Sequence, residues 1–379
     1  MREKGGNAGR IIRWVFGHSA QREPCQLIDA GLAVLMRAAV ALAAVLIAAA
    51  SSAADRLPGL GVDAGATTVS GVSSGGYMAV QFHVAHSSMV TGAGVIAAGP
   101  YYCARDSVWI AYEDCMTPGL WSTPPDPDAL ANLAMELGRT GRIDATVNLA
   151  RSHVWLFSGT RDRTVATAIV DDLRRFYLHF VPEAEVVFVA DIEAGHGMVT
   201  EDAGSRCGVT EAPFINDCDY DAAGKLLAHL LGPLDPPRPT ATGKIVAFDQ
   251  REFADGDAYS ISMADTGYAY IPDSCRHDRC RVHVAFHGCR QNAAAIGERF
   301  VREAGYNRWA AANRIVVLYP QTVARSGWGG TMFHWNFVVN PRACWDWWGY
   351  TGSQYHTKQG NQIRAVKAML DRLAEPRKE

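Results

Sequence analysis

A serine set between glycines is the feature of this chain with the clearest chemistry. Residues 71–76 read Gly-Val-Ser-Ser-Gly-Gly, which places Ser73 in a G-x-S-x-G pattern. A short β-type run at 66–70 precedes it, and an apolar run with helical period follows. Strand, G-x-S-x-G and helix are the context of a nucleophile elbow, a tight turn that exposes the serine hydroxyl. The same turn would aim the backbone N–H of Ser74 at a bound carbonyl oxygen.

A serine nucleophile needs a base, and the base needs an acid that holds its tautomer. Asp162 comes directly after the strand-like run 153–157, and His196 lies between two glycines after the strand-like run 185–189. The chain order Ser73, Asp162, His196 is that of α/β-hydrolase triads. The spacing therefore predicts a Ser-His-Asp triad at one edge of a sheet, and acyl transfer as its chemistry.

Other acids and histidines compete for these roles. Asp191 and Glu193 lie near the same predicted sheet edge, in the loop that carries His196. His287 opens a His-Gly loop after a predicted strand and is expected to shape that loop rather than act as the base. Four further histidines are expected to be structural or surface residues: His83, His86, His153 and His283.

The His-Gly loop predicts the second oxyanion donor. In α/β-hydrolases a loop of this kind supplies a backbone N–H to the substrate oxygen, and here that donor would be the amide of Cys289. A metal site built from Cys275, His277, Cys280, His283 and His287 is a weak alternative, because the spacing fits no common zinc pattern. We expect no metal.

Nine cysteines point to disulfides rather than free thiols. If Cys25 is removed with a leader, eight remain, an even number typical of an exported protein. Eight cysteines allow 105 connectivities. Proximity favours Cys103–Cys115, Cys207–Cys218 and Cys275–Cys280, which leaves Cys289 with Cys344.

The N-terminal region resembles a targeting segment. Met36 and Arg37 precede a short apolar run, and small residues follow up to Ala54. This pattern predicts a signal peptide at 36–54 and a secreted or periplasmic protein, with 1–35 as an untranslated or disordered extension. An uncleaved membrane anchor is the alternative. The composition, with 48% hydrophobic and 20% charged residues and a net charge of −3, is that of a soluble globular protein and indicates no nucleic-acid partner.

Strand-like and helix-like runs alternate through residues 55–379, which predicts an α/β fold with a mostly parallel central sheet and helices on both faces. Predicted strands near 94–98, 153–157, 185–189, 244–248, 267–271, 281–286 and 314–319 are separated by helix-like segments at 128–138, 164–180, 221–231, 290–312 and 358–373. A Pro-rich segment, 232–243, divides the chain and admits a two-domain reading. We expect instead one circularly permuted α/β-hydrolase domain, because the serine, acid and histidine precede the His-Gly loop, and the Pro-rich segment then joins the former termini.

The combined motifs resemble the poly(3-hydroxybutyrate) depolymerase family in its single-domain, circularly permuted form. The likeness covers roughly residues 60–370 and depends on the motifs at 71–78, 159–162, 195–197, 287–291 and 344–348. It implies the triad and the oxyanion donors named above, export, and ester hydrolysis without calcium or another cofactor. It also implies a tryptophan at the ester subsite, Trp345 or Trp347, within an aromatic region that includes Trp328, Phe333, Trp335, Phe337, Trp348 and Tyr350.

The predicted function is hydrolysis of poly(3-hydroxybutyrate) or hydroxyalkanoate oligomers by an exported serine esterase. No polymer-binding domain is recognisable after residue 370, which favours amorphous polymer or soluble oligomers as substrate. Feruloyl and acetylxylan esterases share part of the pattern and are the alternative. A catalytically inactive module that binds polymer through its tryptophans is a further alternative from another class.

Overall fold

The strands and helices of the protein alternate along most of the chain. In this computed structural model, which describes residues 54–120, 122–238, 242–331 and 334–377, the strands are β1 (Asp63–Val72), β2 (Val90–Ile96), β3 (His153–Phe157), β4 (Val186–Val189), β5 (Met198–Thr200), β6 (Ser205–Arg206), β7 (Ile215–Asp217), β8 (Gly243–Asp249), β9 (Thr266–Pro272), β10 (Arg281–Phe286), β11 (Ile315–Tyr319), β12 (Arg325–Thr331) and β13 (His334–Asn340). The helices are α1 (Ser74–Ala85), α2 (Val108–Glu113), α3 (Pro127–Arg139), α4 (Thr167–Leu178), α5 (Ala222–Leu231), α6 (Ala293–Ile296), α7 (Arg299–Glu303), α8 (Tyr306–Asn313) and α9 (Asn361–Ala374).

An eight-stranded sheet in the order β4-β3-β2-β1-β10-β11-β9-β8 forms the centre. The five pairings from β4 to β11 are parallel. The pairings of β9 with β11 and with β8 are antiparallel, so β9 alone runs against the other strands of this sheet. The predicted α/β fold with a mostly parallel sheet is therefore confirmed.

Helices pack on both faces of the sheet. Phe286 of β10 contacts Phe82 of α1, with ring centroids 6.2 Å apart. His283, three residues earlier on the same strand, contacts Tyr306 of α8. Because successive side chains of a strand alternate between the faces, α1 and α8 cover opposite sides. Consecutive residues of β1, β2, β10 and β11 are buried, as a sheet covered on both faces requires.

The order of the elements is that of a circularly permuted α/β-hydrolase. The serine strand β1 lies beside β10, which carries the His-Gly loop, yet β10 follows β1 by some two hundred residues in the chain. The two ends of the compact unit Ala54–Glu379 meet. The amide of Leu60 donates to the carbonyl of Leu373 at 2.9 Å, and that of Gly61 to Glu375 at 2.8 Å. Adjacent termini are the condition for permuting a fold.

Capping residues set the ends of several helices. Asp126 accepts from the amides of Asp128 and Ala129 at the start of α3, where Pro127 takes the first helical position. Asp221 caps α5 by accepting from Gly224 at 2.8 Å, and Gly232 ends that helix with φ 81°.

The structure differs from the sequence expectation in three places. The expected single helical stretch at 290–312 is three short helices, because Gly297 and Gly305 adopt φ 63° and 89° between them. A small sheet of β5, β7 and β6 follows His196, and β12 pairs with β13 in a hairpin; neither was expected. The predicted leader at 36–54 and the extension at 1–35 lie outside the described residues, apart from Ala54.

Four disulfides join Cys103–Cys115, Cys207–Cys218, Cys275–Cys280 and Cys289–Cys344. The first three are the pairs favoured by proximity in the sequence, and the fourth is the pair that they leave. Cys275 and Cys280 are bonded to each other and are therefore not thiolate ligands for a metal. In the part of the chain that the structure describes, no helix has the length and apolarity needed to cross a membrane.

Candidate active site

Ser73 lies on the turn between β1 and α1, in a backbone conformation that side chains rarely adopt. Its φ and ψ are 56° and −122°. The amide of Ser73 donates to the carbonyl of Ile96 at 2.9 Å, which ties the turn to the end of β2. Strain at a position over-determined by its neighbours is characteristic of functional sites. This is the geometry that the G-x-S-x-G pattern predicts.

The glycines of the motif are required by close backbone contacts. A Cβ at position 71 would lie 2.1 Å from the carbonyl oxygen of Gly75. A Cβ at position 75 would lie 2.4 Å from the carbonyl oxygens of both Phe286 and His287. The absence of a side chain at Gly75 thus allows the elbow to lie directly against the His-Gly loop.

Asp162 and His196 form a buried hydrogen-bonded pair. His196 Nδ1 lies 2.8 Å from Asp162 Oδ2, and their side chains are 9% and 1% exposed. The other oxygen, Asp162 Oδ1, accepts from the amides of Thr164 and Val165 at 2.7 and 3.0 Å. Because a carboxylate accepts at Nδ1, that nitrogen carries the proton, and Nε2 of the neutral ring is left as the acceptor.

The loops that carry the pair are held against each other. The amide of Arg161 donates to the carbonyl of Ala194, and a Cβ at Gly159 would approach that same carbonyl oxygen to 2.2 Å. The amide of His196 donates to Thr210 Oγ1 at 2.9 Å. Gly195 is equally confined, since a Cβ there would lie 2.2 Å from the carbonyl oxygen of Val209.

Ser73 and His196 line one cavity of about 560 Å³. Its wall also includes Cys289, the predicted second oxyanion donor. The complete lining is Val72, Ser73, Met116, Thr164, His196, Gly197, Thr210, Glu211, Ala212, Phe214, Gly288, Cys289, Arg290, Gln291, Ala295, Ile296 and Arg342. Ser73 and His196 thus line the same cavity, and Asp162 is linked to it through its hydrogen bond with His196.

The amides around this cavity divide into those already engaged and those left for a ligand. The amide of Gly288 donates to Gln291 Oε1. The amide of Arg290 donates to the carbonyl of Arg342, and that of Gln291 to the carbonyl of Gly288. Among the described residues of this loop, Cys289 is the one whose amide has no protein acceptor. Ser74 is the first residue of α1, so its amide has no intrahelical acceptor.

His287 holds the loop in position, as expected. Its Nδ1 donates to the carbonyl of Gly288 at 2.7 Å, and its Nε2 accepts from the amide of Thr322 at 3.1 Å. Complete burial lowers the pKa of His287 to about 4. Both ring nitrogens are engaged within the protein, so the imidazole is neutral and unavailable as a base.

The other histidines occupy structural positions. His283 bridges Thr68 and Ser70 of β1 at 2.8 and 2.7 Å, and burial lowers its pKa to about 3. His83 lies between Tyr177 and Ser152, and burial lowers its pKa to about 3 as well. His86 is buried, and His153 contacts Glu185 at 2.7 Å.

Neither rival acid is paired with His196. Glu193 instead binds the guanidinium of Arg161 at 2.6 Å, and Asp191 is exposed.

The two candidate subsite tryptophans are placed differently. Trp345 is fully buried and packs on Phe286 and His287, with ring centroids 5.0 and 5.6 Å away. The packing of Trp345 supports the His-Gly loop, and its contact with substrate stays a prediction. Trp347 is 6% exposed and stacks on Tyr77, with centroids 3.9 Å apart. Trp347 also stays a candidate for the ester subsite.

The wider aromatic region is only partly described. Trp328 is 67% exposed on the β12–β13 hairpin. Trp348 and Tyr350 contact each other, with centroids 4.9 Å apart. Phe333 lies outside the described residues, and so do the side chains of Trp335 and Phe337.

Gln291 is a supporting residue to which the sequence assigned no role. Its Oε1 accepts from the amide of Gly288, and its Nε2 donates to the carbonyl of Phe214 at 2.7 Å. It therefore connects the His-Gly loop to the segment after His196. A lone glutamine with no periodic neighbours carries no signal of such a role; only its place two residues after Cys289 could have suggested it.

The sheet order, the strained serine turn and the buried acid–histidine pair on one cavity define a serine hydrolase of the α/β-hydrolase class. No family model matches the chain. The chain is 43% identical over 348 residues to a poly(3-hydroxybutyrate) depolymerase of Delftia acidovorans. The match covers 89% of this chain and 66% of that protein. It is 34% identical over 340 residues to a polyhydroxybutyrate depolymerase of Talaromyces funiculosus, covering 87% of this chain and 95% of that one.

Two solved structures share the fold. One is a PHB depolymerase from Penicillium funiculosum, with a TM-score of 0.76 and 32% identity. The other is a serine-to-alanine variant of a PHB depolymerase complexed with an R3HB trimer, with a TM-score of 0.75 and 31% identity. Each comparison covers 84% of this chain and 98% of the other. The chain belongs to the poly(3-hydroxybutyrate) depolymerase family, whose members are carboxylic ester hydrolases.

Proposed function

We propose that this protein hydrolyses the ester bonds of poly(3-hydroxybutyrate) or of its oligomers through an acyl-enzyme. The observation that carries the proposal is the buried Asp162–His196 pair on the same cavity as Ser73, in a chain of this family. The solved relative that holds an R3HB trimer supports an oligoester as the ligand.

In the acylation step, Ser73 Oγ attacks the ester carbonyl while His196 Nε2 takes its proton. Asp162 stabilises the imidazolium that forms and keeps Nδ1 protonated. The negative charge on the carbonyl oxygen is stabilised by the amides of Ser74 and Cys289, each worth about 3–4 kcal/mol in enzymes of this type. His196 then protonates the leaving alkoxide, and the alcohol half of the substrate departs.

In the deacylation step, His196 removes a proton from water, which attacks the acyl carbon. The same two amides stabilise the second oxyanion, and Ser73 recovers its proton from His196. The products are one carboxylic acid and one alcohol, each a shorter hydroxyalkanoate. Ser73, His196, Asp162 and the two amides account for both steps.

Exposed apolar side chains near the cavity support an apolar polyester as substrate. Val108, Trp109 and Tyr112 on α2 are 51%, 74% and 66% exposed, and Leu120 is 90% exposed. This segment leads into the cavity, because Met116 between them lines it. Large exposed apolar groups around a cleft are typical of surfaces that bind apolar partners.

Product analysis tests the proposal. Purified protein is incubated with amorphous poly(3-hydroxybutyrate), with the 3-hydroxybutyrate trimer and with methyl ferulate, and released acids are quantified. We expect hydrolysis of the first two and covalent labelling by an organophosphonate that Ser73→Ala abolishes. Turnover of methyl ferulate alone would replace the proposal with a carbohydrate esterase. Binding of polymer without labelling or turnover would identify a binding module.

We further propose that the protein is exported, that residues 36–54 are removed, and that 55–379 form a single catalytic domain with its permutation joint near 232–243. The four disulfides support an oxidising compartment. N-terminal sequencing of protein recovered outside the cytoplasm would locate the first residue of the mature chain.

A further inference from the structure

We propose that Arg290 and Arg342 form a carboxylate-recognition site on the catalytic cavity, which selects oligoesters with a free acid end. The inference rests on the proposed function and adds to it which end of the substrate the protein recognises. Both arginines line the cavity that holds Ser73 and His196. The sequence motifs gave no indication of a role for either.

The backbone holds the two arginines side by side. The amide of Arg290 donates to the carbonyl of Arg342 at 2.7 Å. The disulfide Cys289–Cys344 joins the same two segments, with Cα atoms 4.2 Å apart. Arg290 itself has φ 62° and therefore sits in the left-handed region. The pair is thus set by a covalent and a hydrogen-bonded link rather than by chance proximity of two surface loops.

No carboxylate of the described residues neutralises this pair. Among the described residues that line this cavity, Glu211 is the one acid. Within the described residues, no ion pair at 4.0 Å or less joins either arginine to Glu211 or to any other carboxylate, whereas Arg161, Arg251, Arg299 and Arg308 all have such partners. Arg290 and Arg342 are both exposed residues.

The substrate chemistry explains two free guanidinium groups at this place. An internal ester of the polymer is neutral and gives a guanidinium nothing to pair with. An oligomer ends in a carboxylate, on the half that leaves as the alcohol in acylation. A guanidinium fork binds a carboxylate with two parallel hydrogen bonds, and such charge-assisted bonds are roughly twice as strong as neutral ones. A carboxylate held there would position the ester bond nearest the acid end over Ser73.

The test compares the 3-hydroxybutyrate trimer as free acid with its methyl ester. The two substrates share the two ester bonds between hydroxybutyrate units and differ by one charge. Only cleavage of these two bonds is counted, because the methyl ester adds a third bond that an esterase can hydrolyse. We expect Arg290→Gln/Arg342→Gln to lower kcat/KM for the acid by about ten- to a hundredfold, mainly through KM, and to change the ester rate by less than threefold. The preference for the acid should also shrink with added salt. Arg238→Gln, an exposed arginine at the joint, is the matched control and should leave both rates unchanged.

Equal losses on both substrates, or no loss on either, would overturn the proposal. Arg290→Lys/Arg342→Lys guards against a folding defect, since it keeps the charges and should restore part of the acid preference. Calorimetry on Ser73→Ala separates this site from the proposed function. If the wild type hydrolyses neither trimer and yet Ser73→Ala binds the acid tenfold more tightly than the ester, the hydrolase proposal fails and the carboxylate site stands. Equal binding of the two would remove the site.

Discussion

At the scale of single residues, two histidine–aspartate pairs in this chain show what sets a catalytic pair apart. His179 contacts Asp128 at 2.9 Å, nearly the same distance as His196 to Asp162. The side chains of the first pair are 36% and 70% exposed, and those of the second 9% and 1%. Water competes for the first pair, whereas burial and a serine on the same cavity make the second chemically useful.

Replacing His196 by Ala should lower kcat by about 10⁴–10⁶ with the fold retained, because the general base for both steps is lost. The kcat of Ser73→Ala should fall by a similar factor. The kcat of the double variant Ser73→Ala/His196→Ala should be only slightly lower, since the two residues act as a unit. Initial rates on the 3-hydroxybutyrate trimer and circular dichroism provide the measurements. His179→Ala is the matched control and should keep full activity; a loss below tenfold for His196→Ala would remove it from the base role.

At the scale of elements, the site is built where strands end. Ser73 follows β1, Asp162 follows β3, and the His287 loop follows β10, which are all parallel strands of one sheet. Parallel strands bring their carboxyl ends to a common edge, so residues far apart in sequence converge there. The sequence could predict this much, because buried strands and the glycine turns after them leave clear local patterns.

The supporting contacts were beyond sequence reasoning because they depend on long-range approach. Gln291 reaches Phe214 across 77 positions, and Gly75 fits against the carbonyl oxygens of Phe286 and His287. The burial of Trp345 could not be predicted either, because an aromatic run has the same sequence pattern in a cleft wall and in a core. Gly297 and Gly305 break the helix expected at 290–312, where the surrounding apolar period hides them.

The disulfide Cys289–Cys344 should matter for activity as well as for stability. The double variant Cys289→Ser/Cys344→Ser keeps every backbone amide but frees the loop that offers the Cys289 N–H. We expect kcat to fall by up to about 10²–10³, the effect of one misplaced oxyanion donor. The free energy of unfolding, from urea titration, should fall by about 2–4 kcal/mol.

The bridge Cys275–Cys280 supplies the control for this comparison, because it closes a short loop at the start of β10, away from the cavity lining. Cys275→Ser/Cys280→Ser should retain kcat within about twofold. Equal losses of activity in the two double variants would mean that the Cys289–Cys344 bridge does not position the Cys289 N–H.

At the scale of the whole molecule, buried histidines should make the fold sensitive to acid. Burial lowers the pKa of His83, His283 and His356 to about 3, and that of His86 and His287 to about 4. In the unfolded chain these imidazoles titrate near 6.5. Between those values the unfolded state binds more protons, so the free energy of unfolding falls as pH drops below about 6.5, by about 1.4 kcal/mol per pH unit for each proton.

Urea titrations between pH 6.5 and 5 should therefore give a free energy of unfolding that falls with decreasing pH. In His283→Gln this slope should be smaller by an amount that corresponds to close to one proton. His86→Gln provides a second variant at a less confined position. An unchanged slope in both variants would mean that these imidazoles are not buried in neutral form.

The permuted order of the chain predicts that the fold tolerates the reverse operation. The amides of Leu60 and Gly61 already donate to the carbonyls of Leu373 and Glu375, so a few glycines suffice to join these ends. Opening the chain between Pro236 and Pro237, in the proposed joint, would break no strand of the central sheet and restore the ordinary α/β-hydrolase order. We expect a folded protein with four disulfides and kcat within about tenfold of the original, measured on the 3-hydroxybutyrate trimer. The control opens the chain inside β10, between Val284 and Ala285, and should fail to fold because it cuts a buried central strand; comparable folding of the two rearranged chains would show that the joint is not a special place in this fold.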